Sequence, residues 1–566
     1  MSTPRTLGNQ ALTTFDVCII GSGAAGGAVA HMLTKAGKNV LVLEAGPCWY
    51  EKLDDPNNQP VPHHSNDELK AYIRNFLGPD NFVEPRSFRT QDSTSDRDSV
   101  GDVNPLPKHV GGGGVHADLK MPRFNVDDFH FGTLLAGMYD GTSFADWPVD
   151  YDMLEPFYAY MEKTVGIQGQ KGSDPFASPI SADYPMPPGA KPYLVTKMEG
   201  GAQKQGITIF PYPSAINSRP YDGRPACVDC GMCSGYGCPS NAKSSCAVTL
   251  LRKALLTGKC QLQAETRVVK IVANGRTVDH LECLGPDGKP VQFRADQYVL
   301  AASPIEDARL LLLSGNLGNS SDMVGRNLMF HLQTIGIGIF EERIHSYRGR
   351  AVSHGFSDFR GKAKDPMHLL GGIVEVGGAQ GALQESTFYT RILGTPPFQY
   401  DGLKFKHLMQ QSPARERLVA LTMQAEDAPQ LGNRVDLDPA VKDLDGLPVP
   451  RITYTNHKFE LDARDFYSPK LLDLLGAAGA RWTFIAPKDD ISTSAHIMGT
   501  LRFGNDPKSS VCGPDGKLHD FDNLWAADGS LFPTSSGYNP THTIMTLATW
   551  VGASIAYPGS PQKGIG

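Results

Sequence analysis

Residues 15–27 read Phe15-Asp16-Val17-Cys18-Ile19-Ile20-Gly21-Ser22-Gly23-Ala24-Ala25-Gly26-Gly27. A helical pattern over 28–36 follows, then Gly37, a second apolar run over 39–43, Glu44 and Gly46. The first six residues are a short β-type run, the glycines fit Gly-x-Gly-x-x-Gly, and Gly37 is a natural helix stop. The three glycines do different physical work. Gly21 permits the tight turn, Gly23 lets a pyrophosphate approach the backbone, and Gly26 lets helix pack close to strand. The helix N-terminus offers free N–H groups to phosphate oxygens. Gly21, Gly23, Ala24, Ala25 and Gly26 are therefore candidate cofactor-binding residues. Glu44 lies 18 residues past Gly26, where an acid bonds ribose hydroxyls. The glycine pattern alone is a weak signal, but strand, glycines, helix, strand and acid in this order predict an α/β dinucleotide-binding element. The element does not choose between NAD and FAD.

The rest of the composition narrows the class. The chain has 566 residues, enough for about three to four domain-sized units. Its 60 glycines and 42 prolines are too few for a low-complexity protein. A net charge of −7 without a basic stripe argues against nucleic acid, because phosphate binding needs concentrated positive charge. No apolar run approaches the roughly 18 residues of a membrane span. Polar residues fill the first fourteen positions, so no secretory signal is read there; the expected compartment is the cytoplasm, with export on a partner subunit's signal as the alternative. Ten cysteines are too few for a disulfide framework, but four of them cluster. No internal repeat is seen.

Three further segments bear on function. Val110-Gly111-Gly112-Gly113-Gly114-Val115-His116 is a glycine-rich loop without helical or strand pattern. Residues 299–315 read VLAASPIEDARLLLLSG. The C-terminal part contains HIMGTLRFGNDPKSSV from His496 and, later, ADGSLFPTSSGYNPTHTIMTLA. With the N-terminal element and its LEAG ending, these segments resemble the glucose–methanol–choline (GMC) flavoprotein oxidoreductases, and among them the bacterial sugar and sugar-acid dehydrogenases more than the fungal glucose oxidases. The resemblance implies an α/β protein with a discontinuous Rossmann-like FAD-binding domain at 12–60, 100–128, 225–330 and 488–566. An α+β substrate domain with an antiparallel sheet, together with lid loops, is implied at 61–99, 129–224 and 331–487. The polar run 91–99 reads as a solvated loop or lid. Residues 261–271 and 279–284 read as strands, and the resemblance places Val268 near the adenine through its backbone.

An alcohol is oxidised by losing its hydroxyl proton and its C–H hydride. Histidine suits the proton at neutral pH, and a flavin suits the hydride. In the resembled family the base is the histidine of His-x-x-Gly-Thr-x-Arg-x-Gly. That is His496 here, with Gly499, Thr500, Arg502 and Gly504 in place. Its partner maps to Asn539, and His542 is the rival. The resemblance puts Asp528-Gly529 beside the pyrophosphate or ribityl chain, with Gly112 and Gly113 near the cofactor. A helix over 541–548, opened by Asn539, Pro540 and Thr541, would aim its positive end at the flavin, and Pro540 suits a first turn. His116 occupies the position that some members bond covalently to the flavin; a non-covalent FAD is the expectation. His109, His280 and His519 are expected on the surface or in loops.

Cys227, Cys230, Cys233 and Cys238 form C-x2-C-x2-C-x4-C-P, one residue longer in the last gap than the ferredoxin pattern. An iron–sulfur cluster, zinc, unliganded thiols and a disulfide all fit this loop, with Cys246 as an alternate ligand. The function expected from the resemblance is FAD-dependent oxidation of an alcohol group of a sugar, glycoside or polyol, with electrons passed to a quinone, cytochrome or dye, directly or through a small partner subunit. The alternatives are a peroxide-forming oxidase and, more remotely, a flavin-containing lyase.

Overall fold

The computed structural model describes residues 15–63, 84–90, 98–101, 103–104, 106–360, 370–378, 402–403, 406, 414–486 and 494–566. The N-terminal fourteen residues and the lid run at 91–97 lie outside the described residues.

The short apolar runs form a five-stranded, all-parallel sheet. Its order is Leu524–Ala526, Ala295–Leu300, Phe15–Ile20, Val40–Leu43 and Cys260–Gln263. Phe15–Ile20 is buried along nearly its whole length and Val40–Leu43 along all of it, as parallel strands covered on both faces must be. The helix Ala24–Lys35 follows the first strand and packs against the C-terminal helix Thr541–Ala556. The first helix thus starts four residues before the expected 28. The run Ala24-Ala25-Gly26-Gly27 carries two glycines of weak helix propensity, but contact with strand and neighbours overrides it. The C-terminal helix runs eight residues past the expected 548.

The expected strand 261–271 is two strands in two sheets. Cys260–Gln263 joins the parallel sheet, while Arg267–Asn274 pairs with Thr277–Leu284, and that strand with Pro290–Phe293, in a three-stranded antiparallel sheet. Between them the chain turns at Glu265, which holds φ +52°. Val268 lies half-buried in that second sheet, paired with Cys283.

A six-stranded antiparallel sheet has the order Trp482–Ile485, Leu332–Ile339, Leu418–Ala425, Val374–Gly377, Val352–Phe356 and Phe210–Pro211. The helix Lys458–Ala477 buries Leu471, Leu474 and Leu475 against it. A four-stranded mixed sheet, Arg434–Lys442, Pro448–Thr453, Arg86–Arg89 and Ser99–Gly101, completes the β-structure around the site. The fold is therefore α/β, with a parallel sheet and a large antiparallel one, as expected. Among the described residues, no helix is long and apolar enough to cross a membrane.

Candidate active site

The carboxyl ends of parallel strands are where such sheets bind ligands, and the first turn is built for close approach. Gly21 has φ +101°, and a Cβ there would lie 2.4 Å from the Ala301 carbonyl oxygen. A Cβ on Gly26 would lie 2.0 Å from the Gly21 oxygen, so helix and strand touch through bare backbone. Gly23 is different: a Cβ on it would meet nothing within 4 Å. Gly23 opens the helix Ala24–Lys35, and no side chain caps that end. The first-turn N–H groups of Ala24, Ala25 and Gly26 have no carbonyl partner within the helix. A Cβ on Gly112 would come within 3.1 Å of the Gly23 Cα, so the two glycine-rich segments abut. The loop holding Gly112 and Gly113 is a short 3-10 turn, Gly112–Val115, and not pattern-free coil as expected.

Glu44 ties these pieces together. Its Oε2 accepts from Ser22 N (3.1 Å) and Ser22 Oγ (2.6 Å), and its Oε1 accepts from Gly46 N (2.9 Å). Ser22 Oγ in turn accepts from Gly111 N (3.1 Å). Burial raises the Glu44 carboxyl above the usual range, against three hydrogen bonds that favour the anion. On the other side of the turn, Asp528 Oδ2 accepts from Ser303 N (2.8 Å) and Oδ1 from Ser530 N (2.8 Å). A Cβ on Gly529 would lie 2.8 Å from the Ile497 carbonyl oxygen, which locks this turn beside His496. Open space at Gly23, the close approach of Gly112 to Gly23, an uncapped helix N-terminus and acids on both flanks fit the pyrophosphate and ribose of a dinucleotide.

His496 is placed by its own motif. Met329 and Met498 exchange backbone hydrogen bonds in antiparallel fashion (2.9 and 3.0 Å). Two residues on from Met329, this register sets His331 opposite His496. Gly499 makes the approach feasible, with φ +81° and a site where a Cβ would lie 1.9 Å from the Asn327 oxygen. Thr500 holds φ +85°, a strained value for a β-branched residue, and its Oγ1 donates to the Pro304 oxygen (2.7 Å). Arg502 anchors the segment through Ser509 O (2.9 Å) and Ser143 O (3.0 Å).

The structure brings His496 and Asn539 together. Asn539 Nδ2 lies 3.5 Å from His496 Nε2. The amide is held from behind: Tyr212 Oη donates to its Oδ1 (2.5 Å), and its Nδ2 donates to Glu375 Oε1 (3.0 Å). Glu375 also accepts from Gln424 Nε2 (2.9 Å) and from Lys120 Nζ (2.5 Å), and Lys120 has Asp118 at 3.2 Å. Burial disfavours the charge on Lys120, but Glu375 and Asp118 more than restore it. On the far side of His496, its Nδ1 lies 2.9 Å from His331 Nδ1. Burial, with lesser contributions from His331 and Lys120, drives His496 well below the usual histidine range, and burial brings His331 to about 4. Both rings are neutral at neutral pH. Asn539, Glu375, Tyr212 and His331 are buried, whereas His496 as a residue is only partly buried.

His542, the rival to Asn539, lies elsewhere. It is buried with Nδ1 on the Met121 carbonyl (3.1 Å) and its ring edge-on to Tyr158. Pro540 is the N-cap of Thr541–Ala556, one residue before the first turn.

His116 is half-buried, its carbonyl accepting from Gly235 N (2.9 Å) and its ring 6.1 Å from that of His109. Burial lowers it to about 3, and its Nε2 has no hydrogen-bond partner. His109 belongs to a loop, as expected, but is 1% exposed, so a surface position is corrected.

All ten cysteines are free. Among the described residues, no three His, Cys, Asp or Glu side chains converge as a metal site. Cys233 packs with Ile216 and Ala351, Cys238 Sγ sits 3.4 Å from Ser240 Oγ, and Cys227 Sγ accepts from Asp229 N (3.4 Å). Burial pushes Cys227 to about 11 and Cys233 to about 12.

His331, Tyr212, Glu375 and Lys120 belong to the site without any local motif to mark them, and His331 is flanked by ordinary core residues. Gln333 and Gln424, directly paired across strands and bonded at 2.9 Å, are two polar residues in strands otherwise rich in apolar ones, which is a faint signal of a polar face.

Comparison with known proteins agrees with this geometry. The chain is 29% identical to the 2-methyl-1,2-propanediol dehydrogenase of Mycolicibacterium austroafricanum, over 96% of this chain and 95% of that one. It is 27% identical to the fructose dehydrogenase large subunit of Gluconobacter japonicus, over 96% and 97%. The crystal structure of pyridoxine 4-oxidase from Mesorbium loti shares the fold, with a TM-score of 0.63, 17% identity and coverage of 95% and 98%. The GMC oxidoreductase family models match residues 190–333 and 429–548. With those matches at the sheets that form the site, the chain belongs to the GMC oxidoreductase family.

Proposed function

We propose that this protein oxidises an alcohol group of a sugar, glycoside or polyol, with FAD held in the glycine cradle and His496 as the base. The observation that carries this reading is the neutral His496 with its Nε2 3.5 Å from the Asn539 amide. Bound FAD supplies the hydride acceptor. The chain's own residues do the rest. Gly21, Gly23, Gly26 and the first-turn N–H groups of Ala24 and Ala25 hold the pyrophosphate, and Glu44 reaches the ribose. Gly112 and Gly113 close over the cradle, Val268 contacts the adenine through its backbone, and Asp528-Gly529 flank the ribityl chain. Asn539, Pro540 and Thr541 set the positive helix end toward the ring. Asn539 holds the substrate hydroxyl, and the hydroxyl proton passes to His496 Nε2.

The segments carrying the parallel sheet (12–60, 100–128, 225–330, 488–566) form the FAD-binding domain in this reading, and 61–99, 129–224 and 331–487 the substrate side. The sugar-like substrate class rests on the relatives named above and on the polar character of the cluster. The electrons pass to a quinone or cytochrome, alone or on a partner subunit; the two dehydrogenases named above support this reading. The FAD is non-covalent. The orphaned Nε2 of His116 favours the alternative, a bond to the flavin, and flavin retained in an acid-precipitated pellet would establish it.

Replacing His496 with Ala is expected to slow flavin reduction by about 10²- to 10⁴-fold, the range of a lost general base, with FAD content unchanged. An unaltered reduction rate refutes the base assignment. Substrate-dependent peroxide at the rate of dye reduction would replace the dehydrogenase with an oxidase.

A further inference from the structure

We infer that His331 is a positioning residue that sets the tautomer of His496, leaving Nε2 bare toward Asn539 and the substrate. This role deepens the proposed function and rests on His496 being the base.

His496 Nδ1 and His331 Nδ1 are 2.9 Å apart, a hydrogen-bond distance that requires one proton between them. Two arrangements satisfy it. In the first, His496 carries the proton on Nδ1 and donates to His331, which then carries its own on Nε2. In the second, His331 donates from Nδ1, and His496 must carry its proton on Nε2, where it cannot act as a base.

The surroundings of His496 choose the first. At the His496 end, the Asn539 amide cannot turn. Tyr212 Oη donates to Oδ1 (2.5 Å), and Nδ2 donates to the Glu375 carboxylate (3.0 Å), itself held by Lys120. The amide therefore presents a second N–H toward Nε2. A protonated Nε2 would set donor against donor; a bare Nε2 accepts. At the other end, the His331 ring is buried and its Nε2 has no hydrogen-bond partner, so no donor there opposes a proton on that nitrogen.

The chain Lys120–Glu375–Asn539–His496–His331 thus has a donor facing an acceptor at every contact. When the substrate proton arrives on Nε2, His496 becomes an imidazolium whose Nδ1–H stays bonded to His331. The O–H bond breaks and the N–H bond forms; FAD, when bound, would supply the acceptor for the C–H hydride.

The test is anaerobic stopped-flow flavin reduction of the holoenzyme, using whichever alcohol of a panel of hexoses, glycosides and vicinal diols bleaches the flavin fastest. His331→Ala is expected to slow the reduction rate constant about 10- to 100-fold, the scale of a mispositioned catalytic group, with substrate affinity within about twofold. His331→Asn offers an acceptor oxygen near the Nδ1 position and is expected to recover most of the rate. The inference is overturned if His331→Ala reduces at the parent rate, or if His331→Asn is as slow as His331→Ala while both retain FAD and the parent melting temperature. A ¹⁵N spectrum of histidine-labelled parent protein, with His496→Ala as the subtraction, reads the tautomer without substrate. Bare Nε2 supports the inference, and bare Nδ1 overturns it. A His496→Ala variant that reduces flavin at full rate would instead overturn the proposed function.

Discussion

Two alanine substitutions within one turn of the first helix separate cofactor binding from folding. Gly23→Ala adds a methyl group where nothing lies within 4 Å, so the apoprotein should tolerate it. That methyl projects about 1.5 Å into the space where the pyrophosphate would lie. Displacing a phosphate by that much stretches hydrogen bonds of about 2.9 Å beyond useful length. Losing two charge-assisted bonds at about 1.5–3 kcal/mol each costs about 3–6 kcal/mol, or roughly 10²- to 10⁴-fold in FAD affinity. Gly26→Ala puts a Cβ 2.0 Å from the Gly21 oxygen and 3.4 Å from Ile19 Cγ2. Non-bonded atoms settle about 3.5 Å apart, so the helix must retreat by more than an ångström from the central strand. Overpacking of this kind costs about 1–3 kcal/mol or more. The assay is the melting temperature of deflavinated protein and the FAD absorbance per chain after reconstitution. The expected result is a parent-like apoprotein melt with lost FAD for Gly23→Ala, and a lowered apoprotein melt for Gly26→Ala. Retention of FAD by Gly23→Ala, or equal apoprotein melts, would refute the assignment of the cradle.

Glu375→Gln breaks a buried ion pair that also orients Asn539. Such losses cost about 3–5 kcal/mol, reduced here to about 2–3 kcal/mol because Lys120 keeps Asp118 at 3.2 Å. Urea unfolding of Glu375→Gln beside the parent measures the loss, and an unchanged midpoint would show that the pair does not contribute it. Asp307 faces Asp528 in the wall of the cradle, and burial followed by the Asp528 charge raises its carboxyl well above the usual range. A folded-state value above the unfolded one gives stability that is complete at low pH and is lost as pH rises through the folded value. Asp307→Asn should therefore gain stability relative to the parent as pH rises from about 5 to about 9, and parallel melting curves would contradict this.

Where sequence pattern and structure part, the cause is tertiary contact. The pattern starts the first helix at 28 because glycine propensity opposes an earlier start, and only contact with strand and neighbours makes Gly26 and Gly27 helical. Residues 261–271 read as one strand because both halves are strand formers; the left-handed turn at Glu265, which sends them to different sheets, has no glycine to announce it. The four-cysteine pattern suggests a metal loop by spacing alone, but spacing does not say where the sulfurs point: Cys227 and Cys233 pack into one small apolar cluster, and among the described residues no three ligating side chains converge as a metal site.

Local features are legible without the fold. Gly21, Gly23, Gly26 and Glu44 lie within one strand–helix–strand unit, and His496 with Gly499 and Thr500 lies within one turn. Steric rules acting over a few residues dictate these forms, so their chemistry can be read in one dimension. The surroundings of His496 come from the tertiary fold. His331 arrives by the register of Met329 with Met498, Asn539 by the packing of the C-terminal helix, and Tyr212, Glu375 and Gln424 by strand order in the antiparallel sheet. Lys120 reaches Glu375 across 255 residues of chain. Burial and proton placement are properties of that assembly: whether a histidine is neutral, and which nitrogen is bare, depends on groups that sequence separation hides.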